Sequence, residues 1–171
     1  MRETSEDFDR LQAQLDASRH SAGAHLRRAF GEAATTAIEV VRALDGIFEM
    51  HVAVVTAAGA PLVAPVDGIL FHGELWFSLP GAAVRSALLR ADPRVSASYT
   101  KGSTAFIVHG EARELDVHLP VNAEWDELVT ELYVAQYGSV WIEWRDARRR
   151  NEPVDTGFTG WIEPRRFFAK T

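Results

Sequence analysis

From Ile47 to Leu115 apolar and polar residues alternate with a period of two, and this alternation limits the fold more than any other feature of the chain. In the first run Phe48, Met50, Val52 and Val54 share one face, so a strand over Phe48–Thr56 would bury them together. Ala58-Gly59 supplies a tight turn, and the chain returns through Pro61–Phe71 to complete a hairpin. His72-Gly73 makes a second turn into Glu74–Ser78, where Leu75 and Phe77 lie opposite Trp76. In the next run Val95, Ala97 and Tyr99 oppose Ser96, Ser98 and Thr100. Over Thr104–Leu115, Phe106, Val108 and Ala112 face in while His109, Glu111 and Arg113 face out. Five strands joined mostly by short turns predict a small antiparallel β-barrel over residues 47–117. One helix is expected to interrupt it at Gly81–Ala91, with Val84, Leu88 and Ala91 as its buried stripe.

The flanks carry helical spacing instead. Phe8, Leu11 and Leu15 recur at helical intervals, Ser21-Ala22-Gly23-Ala24 breaks the pattern, and a short basic stretch runs to Phe30. Thr35 or Thr36 can cap a second helix that ends near Leu44, where Asp45-Gly46 stops it. Residues 1–35 therefore read as an N-terminal helical arm, able to pack on the barrel, cross to a partner subunit or stay mobile. Beyond the barrel, Asn122 can cap a helix carrying Trp125, Leu128, Val129 and Leu132 and ended by Gly138. Ser139 starts another, with Trp141 and Trp144 followed by the basic run Arg148, Arg149 and Arg150. Phe158–Ala169 reads as a last strand. The predicted class is α+β, mainly β, with residues 36–171 forming the barrel domain, its C-terminal helices and a closing strand.

Composition narrows the functions open to such a chain. Its 171 residues fit one domain, and 47% apolar residues suffice for a full core. There is no run of about 18 apolar residues, so no membrane-spanning helix is expected. The N-terminus is acidic and amphipathic, without the apolar core of a signal peptide. Cysteine is absent, which removes disulfides, thiolate metal sites and cysteine nucleophiles and agrees with a cytoplasmic address. The net charge of −6 argues against nucleic acid as the main partner, since neutralising phosphates requires a basic surface.

Two segments could carry chemistry. In Trp76-Phe77-Ser78-Leu79-Pro80-Gly81-Ala82-Ala83-Val84-Arg85 a strand ends, Pro80 fits a first helical position, and Gly81 allows close approach to the backbone. A helix start offers unpaired N–H groups and partial positive charge, and Arg85 adds a full charge with a fork suited to phosphate. The same residues also read as a Pro-Gly turn before an amphipathic helix with a solvated arginine. In Leu62-Val63-Ala64-Pro65-Val66-Asp67-Gly68, proline removes a ladder donor and glycine marks a close approach. A planar ring against this strand fits both features, and so does an edge strand with a bulge.

The order of these segments is recognisable. HVAVVTAAGAPLVAPVDGILF is followed by ELWFSLP, then by RSALLRADPRVSASY and FIVHGEARELD. This resembles the pyridoxamine 5′-phosphate oxidase-like, FMN-binding split-barrel superfamily, including its branch that uses the deazaflavin F420. The resemblance covers about Thr36 to Asp116 and returns in Gly160-Trp161-Ile162-Glu163-Pro164-Arg165-Arg166-Phe167. It implies a homodimeric oxidoreductase that binds FMN or F420 at the subunit interface and acts on a small-molecule substrate. It also implies that Ala64, Pro65 and Val66 line the flavin ring. Phe77 and Ser78 then lead to the phosphate, and Arg85 stands where the family usually has a phosphate-binding lysine. Around that position the family often carries Ser or Thr before and Arg-Asn after, whereas this chain has Ala82-Ala83 and Ala87-Leu88. Arg85, Gly81 and the helix start then carry most of the anion binding.

Other residues offer less. His51, His72, His109 and His118 lack the i, i+4 pairing of a helical zinc site, so no metal is expected. Some split-barrel proteins similar to this one bind haem through histidine, which makes His51 or His109 the axial candidate in a non-enzymatic alternative. A barrel serving only as a dimeric scaffold belongs to the same alternative. Trp141, Trp144 and Trp161 could cover a flavin or substrate, or form core and dimer contacts. The arginine run fits a solvated helix end or the tail of an anionic cofactor.

Overall fold

A computed structural model describes residues 2–30, 35–81, 83–115, 121–151 and 157–171, without the side chains of 144 and 147–151. His118, the Trp144 side chain and those of Arg148, Arg149 and Arg150 thus lie outside the described residues. Six strands close a barrel: β1 (Ile47–Val55), β2 (Pro61–Phe71), β3 (Glu74–Leu79), β4 (Arg94–Lys101), β5 (Thr104–Glu114) and β6 (Phe158–Lys170). Their order around the barrel is β1-β2-β3-β6-β5-β4, and every neighbouring pair is antiparallel. The period-two alternation sets the inside. Met50, Val52, Val54, Leu75, Phe77, Val95, Ala97, Phe106, Val108, Ile162 and Phe167 are all buried in one core. The inward faces read from sequence in β1, β3, β4 and β5 are thus buried, whereas β2 ends in four successive buried residues, and β6 seals the seam between β3 and β5.

Glycine is required where strands meet most closely. A Cβ on Gly160 would lie 1.8 Å from the Arg113 carbonyl oxygen, and one on Gly110 would lie 2.1 Å from that of Glu163. Gly110 also marks a register shift: His109 pairs with Arg166 but Gly110 pairs with Pro164, so Arg165 is the extra residue of a bulge in β6. Helix α1 (Ser5–His20) docks over this irregularity. Gln14 donates to the Pro164 carbonyl at 3.0 Å, and the Phe167 N–H donates to Ser18 Oγ at 2.7 Å. Leu11 and Leu15 of α1 join the barrel core.

A short helix α2 (Ala24–Ala29) follows, and then α3 (Ala37–Ala43), which Thr36 starts with a reciprocal capping box to Glu39. Helix α4 (Val84–Ala91) carries the chain from β3 to β4, past β1. It begins later than the sequence implies: Pro80 is not a helical residue, and its carbonyl closes a turn by accepting the Ala83 N–H at 2.9 Å. The later start rotates the buried stripe onto Ser86 and Leu89, leaving Val84 and Ala91 exposed and Leu88 half-buried. The buried Ser86 hydroxyl donates to the same Pro80 carbonyl at 3.1 Å.

Helices α5 (Val121–Tyr137) and α6 (Val140–Asn151) form a hairpin through Gly138, whose φ of 75° ends α5. Asn122 lies inside the first turn of α5 rather than capping it. Trp125 stacks on the outward Trp76 at 4.7 Å between ring centroids, and Phe71, Ile69 and Leu115 complete a second core. β3 is consequently buried on both faces, which the alternation of a single strand does not reveal.

Candidate functional site

The barrel splits where β3 leaves β2. Their pairing covers only Gly68–Phe71 against Phe77–Glu74, although β2 reaches back to Pro61 and β3 runs on to Leu79. Over Pro61–Asp67, β2 pairs with β1 on one edge and with no described strand on the other. That free edge is one lip of the split, and the end of β3, paired there with β6 and followed by the chain into α4, is the other.

On the β2 lip Ala64 and Val66 point toward the barrel, Val66 being buried, while Pro65 faces solvent. Pro65 pairs with His51 in unbroken register, so the strand is an edge here without a bulge. Gly68 does not open room for a ring. A Cβ there would lie 2.7 Å from the Phe48 ring and 3.0 Å from Met50 sulfur, so the glycine accommodates the core.

On the β3 lip Ser78 is exposed and its hydroxyl lies 3.0 Å from that of Thr159. Phe77 points inward, stacked on Phe158 at 5.4 Å. Gly81 is half-exposed, and the α4 N-cap, Ala83, supplies no side-chain acceptor to the first-turn N–H groups. Arg85 follows one residue into the helix. Its Nη1 is buried and has no hydrogen-bond partner among the described residues, and burial pulls the guanidinium below its ordinary value. The side chain as a whole stays half-buried, so the cost falls on this one nitrogen, which is out of water without a hydrogen-bond partner among the described residues. The residues singled out from sequence are therefore divided. Pro65 stands on the β2 edge and Ser78 on the end of β3, Gly81 and Arg85 follow in the turn and first turn of α4, Ala64 lies on the same β2 edge, and Val66 and Phe77 turn into the core.

The haem candidates sit elsewhere. His51 and His109 are exposed on the outer face of the sheet with β4 between them, and His109 Nδ1 lies 2.8 Å from Ser96 Oγ. Trp161 packs on Trp76 at 4.9 Å and belongs to the second core. Trp141 stacks on Tyr133 at 5.2 Å, with the Arg145 guanidinium 5.2 Å from its ring centre.

Two arrangements escaped the sequence reading. Tyr133 donates to Asp67 Oδ2 at 2.5 Å and so ties α5 to β2 beside the free edge. Burial, then the Asp67 bond, raises the phenol well above its ordinary value. His72, read as a turn residue, contacts Asp7 and Glu124 from two helices. A signal for it was present in the pair His72-Gly73, because both residues adopt positive φ, 51° and 70°, as a two-residue hairpin of this kind demands.

Fold and split together define the class: a six-stranded split barrel with flanking helices, the architecture that the resemblance to pyridoxamine 5′-phosphate oxidase-like proteins implies. No family model and no curated protein matches the sequence, but solved structures match the fold. A conserved hypothetical protein from Mycobacterium tuberculosis superposes with a TM-score of 0.61 at 16% identity, over 80% of this chain and 84% of that one. The heme storage protein of Vibrio cholerae gives 0.55 at 14% identity, over 78% and 92%. An FAD-binding protein from Mesorhizobium loti gives 0.51 at 17% identity, over 79% and 94%. Among the described residues no helix is long and apolar enough to cross a membrane.

Proposed function

We propose that this protein is a flavin- or deazaflavin-dependent oxidoreductase that holds FMN or F420 in the split between β2 and the start of α4, at a homodimer interface. The buried, unpartnered Nη1 of Arg85 carries this reading, because it calls for an anion beside a helix start. The cofactor phosphate would be met by Arg85 and the first-turn N–H groups of α4, with Gly81 admitting close approach and Ser78 at the rim. The free backbone edge at Ala64–Val66 offers N–H and C=O groups to the polar edge of the ring, and Pro65 presents an apolar surface to it. When bound, the ring supplies hydride transfer to or from a small organic substrate. This chain's residues bind and orient; no acid–base side chain is assigned.

Titration of the purified protein with FMN, and separately with F420, followed by absorbance and fluorescence, tests the proposal. Saturable binding of one of them, weakened in Arg85→Ala, is expected; no binding of either at tens of micromolar overturns it.

A second reading, a haem-binding protein without redox turnover, rests on His109, which Ser96 holds by Nδ1 while no described contact engages Nε2. A Soret band on haem addition that disappears in His109→Ala, with no flavin binding, would select it.

A further inference from the structure

Around the β2–β3 turn, charged groups from four elements converge on His72. Helix α1 contributes Asp7 and Arg10, α5 contributes Glu124, β3 contributes Glu74, and Glu163 of β6 stands behind Glu74. His72 Nδ1 lies 3.0 Å from Asp7 Oδ2, and Nε2 lies 3.3 Å from Glu124 Oε2. A carboxylate only accepts, and a neutral imidazole has a single N–H. Both contacts are satisfied together only by the imidazolium; the neutral ring turns a lone pair toward one carboxylate.

The two sides of the turn are not held equally. Asp7, whose side chain is 7% exposed, also accepts from the Thr4 N–H at 2.8 Å, the Thr4 hydroxyl at 2.9 Å and Arg10 at 2.7 Å. Arg10 donates as well to the His72 carbonyl at 2.5 Å, so α1 keeps the turn whatever the ring's charge. The Glu124 side chain is 41% exposed and can swing into water. Next to it in the chain, Trp125 covers Trp76.

We propose that His72 is a proton-operated clasp that joins α5 to α1 across the β2–β3 turn, closed when the ring is charged and loosened at the α5 side when it is neutral. Glu74 modulates the clasp: burial raises its carboxyl to about 7, and once ionised it repels Asp7 but attracts the charged His72 ring. For His72, burial lowers the value but the Asp7 and Glu124 contacts outweigh it, and the net shift is upward. A histidine with a raised folded-state value contributes stability that is fully present below its ordinary value and lost as pH rises through the raised one, so the clasp opens as pH climbs above the ordinary histidine range. Loosening frees the first turns of α5, while Arg2, paired with Glu131, and Tyr133, tied to Asp67 beside the free edge of β2, hold the helix further on.

Hydrogen–deuterium exchange of the full chain at about pH 6 and about pH 8, corrected for intrinsic rates, tests this directly. In the wild type, protection over 121–129 should fall about fivefold or more between the two, while β5 and β6 stay unchanged. His72→Asn, which keeps a residue tolerant of positive φ, should show the weaker protection at both pH values. Glu124→Gln changes an exposed side chain whose amide can donate to a neutral ring or accept from a charged one, so its protection should not respond to pH. Equal protection in the wild type at both values, or a fall that persists in Glu124→Gln or His72→Asn, overturns the proposal. So does a His72 ring titration, followed by NMR, that lies below the ordinary histidine value.

Discussion

The two ends of β3 each carry partly buried charge, and they treat it in opposite ways. Before Glu74, at the β2–β3 turn, Asp7, Arg10, His72 and Glu124 answer one another from α1, the turn and α5. After Leu79, Arg85 places a guanidinium nitrogen out of water with no partner among the described residues. Folding alone accounts for the first cluster, because removing charges from solvent is tolerable when they pair. The second leaves one guanidinium nitrogen without a partner among the described residues, the place where the proposed cofactor phosphate would bind. The contrast sets a junction that holds elements together against the proposed anion site.

Asp7→Ala strikes the self-satisfied end and should show the largest effect. It removes the reciprocal cap with Thr4, the Arg10 pair and one of the two His72 contacts, at a cost of about 3 kcal/mol in urea unfolding near neutral pH. Burial pushes the Asp7 carboxyl up, but the Thr4, His72 and Arg10 bonds outweigh it and hold the group well below its ordinary value. This contribution is therefore present above the ordinary aspartate range and lost as pH falls below it. A loss under about 1 kcal/mol would mean the junction is not what secures α1.

Arg85→Leu tests the other end, and its sign on stability is opposite. Without cofactor it should leave the barrel unchanged or raise its stability by about 1 kcal/mol, since a desolvated unpaired charge disappears and the leucine remains on a half-buried helix face. FMN or F420 affinity should fall on the order of 10- to 100-fold, the worth of charge-assisted hydrogen bonds to a phosphate. A variant that loses stability as Asp7→Ala does would place Arg85 in the structural class and dissolve the comparison.

What the sequence announces and what it hides follows the range of each interaction. In Phe48–Val54 and Val95–Tyr99 the inward face is legible because alternation in a strand is set by neighbouring residues alone. The Thr36 cap is legible for the same reason. The phase of α4 is not, because the Pro80–Ala83 turn delays the helix and rotates Ser86 and Leu89 inward. Trp76 reads as an outward residue and is one, yet Trp125 from the distant α5 covers it. The bulge at Arg165 depends on Gly110 in another strand. Of the proposed site, the sequence singles out Pro65, Ser78, Gly81 and Arg85, and the alternation that sets Phe77 opposite Trp76 turns Phe77 inward, but it does not show that Val66 turns inward. Nor does it show that Arg85 Nη1 finds no partner among the described residues, which depends on every element around it.

Glu74→Gln sharpens the comparison at the junction with a smaller effect and a defined pH dependence. Burial lifts this carboxyl from the ordinary glutamate value to about 7, with Asp7 and Glu163 pushing the same way and Arg10 and His72 opposing. A group raised in the folded state weakens the fold once pH exceeds its folded value and costs nothing below its unfolded one. Glutamine should therefore stabilise by on the order of 1–2 kcal/mol at about pH 8, discounted for partial solvent screening, and by nothing near pH 4.5. Urea unfolding at the two pH values reads this directly; a gain of equal size at both would show that packing, not ionisation, is responsible.

Tyr133→Phe is the gentlest test, and it asks whether the two ends communicate through α5. The phenol donates to Asp67, an exposed strand residue that water can serve equally well, so the stability loss should stay near 0.5–1 kcal/mol. The informative reading is the exchange of α5 beyond residue 129. With the Asp67 tie removed, opening of the His72 clasp should spread along the helix, and the pH-dependent loss of protection should extend to Tyr137. If it stops at the first turns as in the wild type, α5 beyond residue 129 is held by its other contacts, among them the Arg2–Glu131 pair and the packing of Leu132 on the second core, and protonation at one end of β3 does not reach the split at the other.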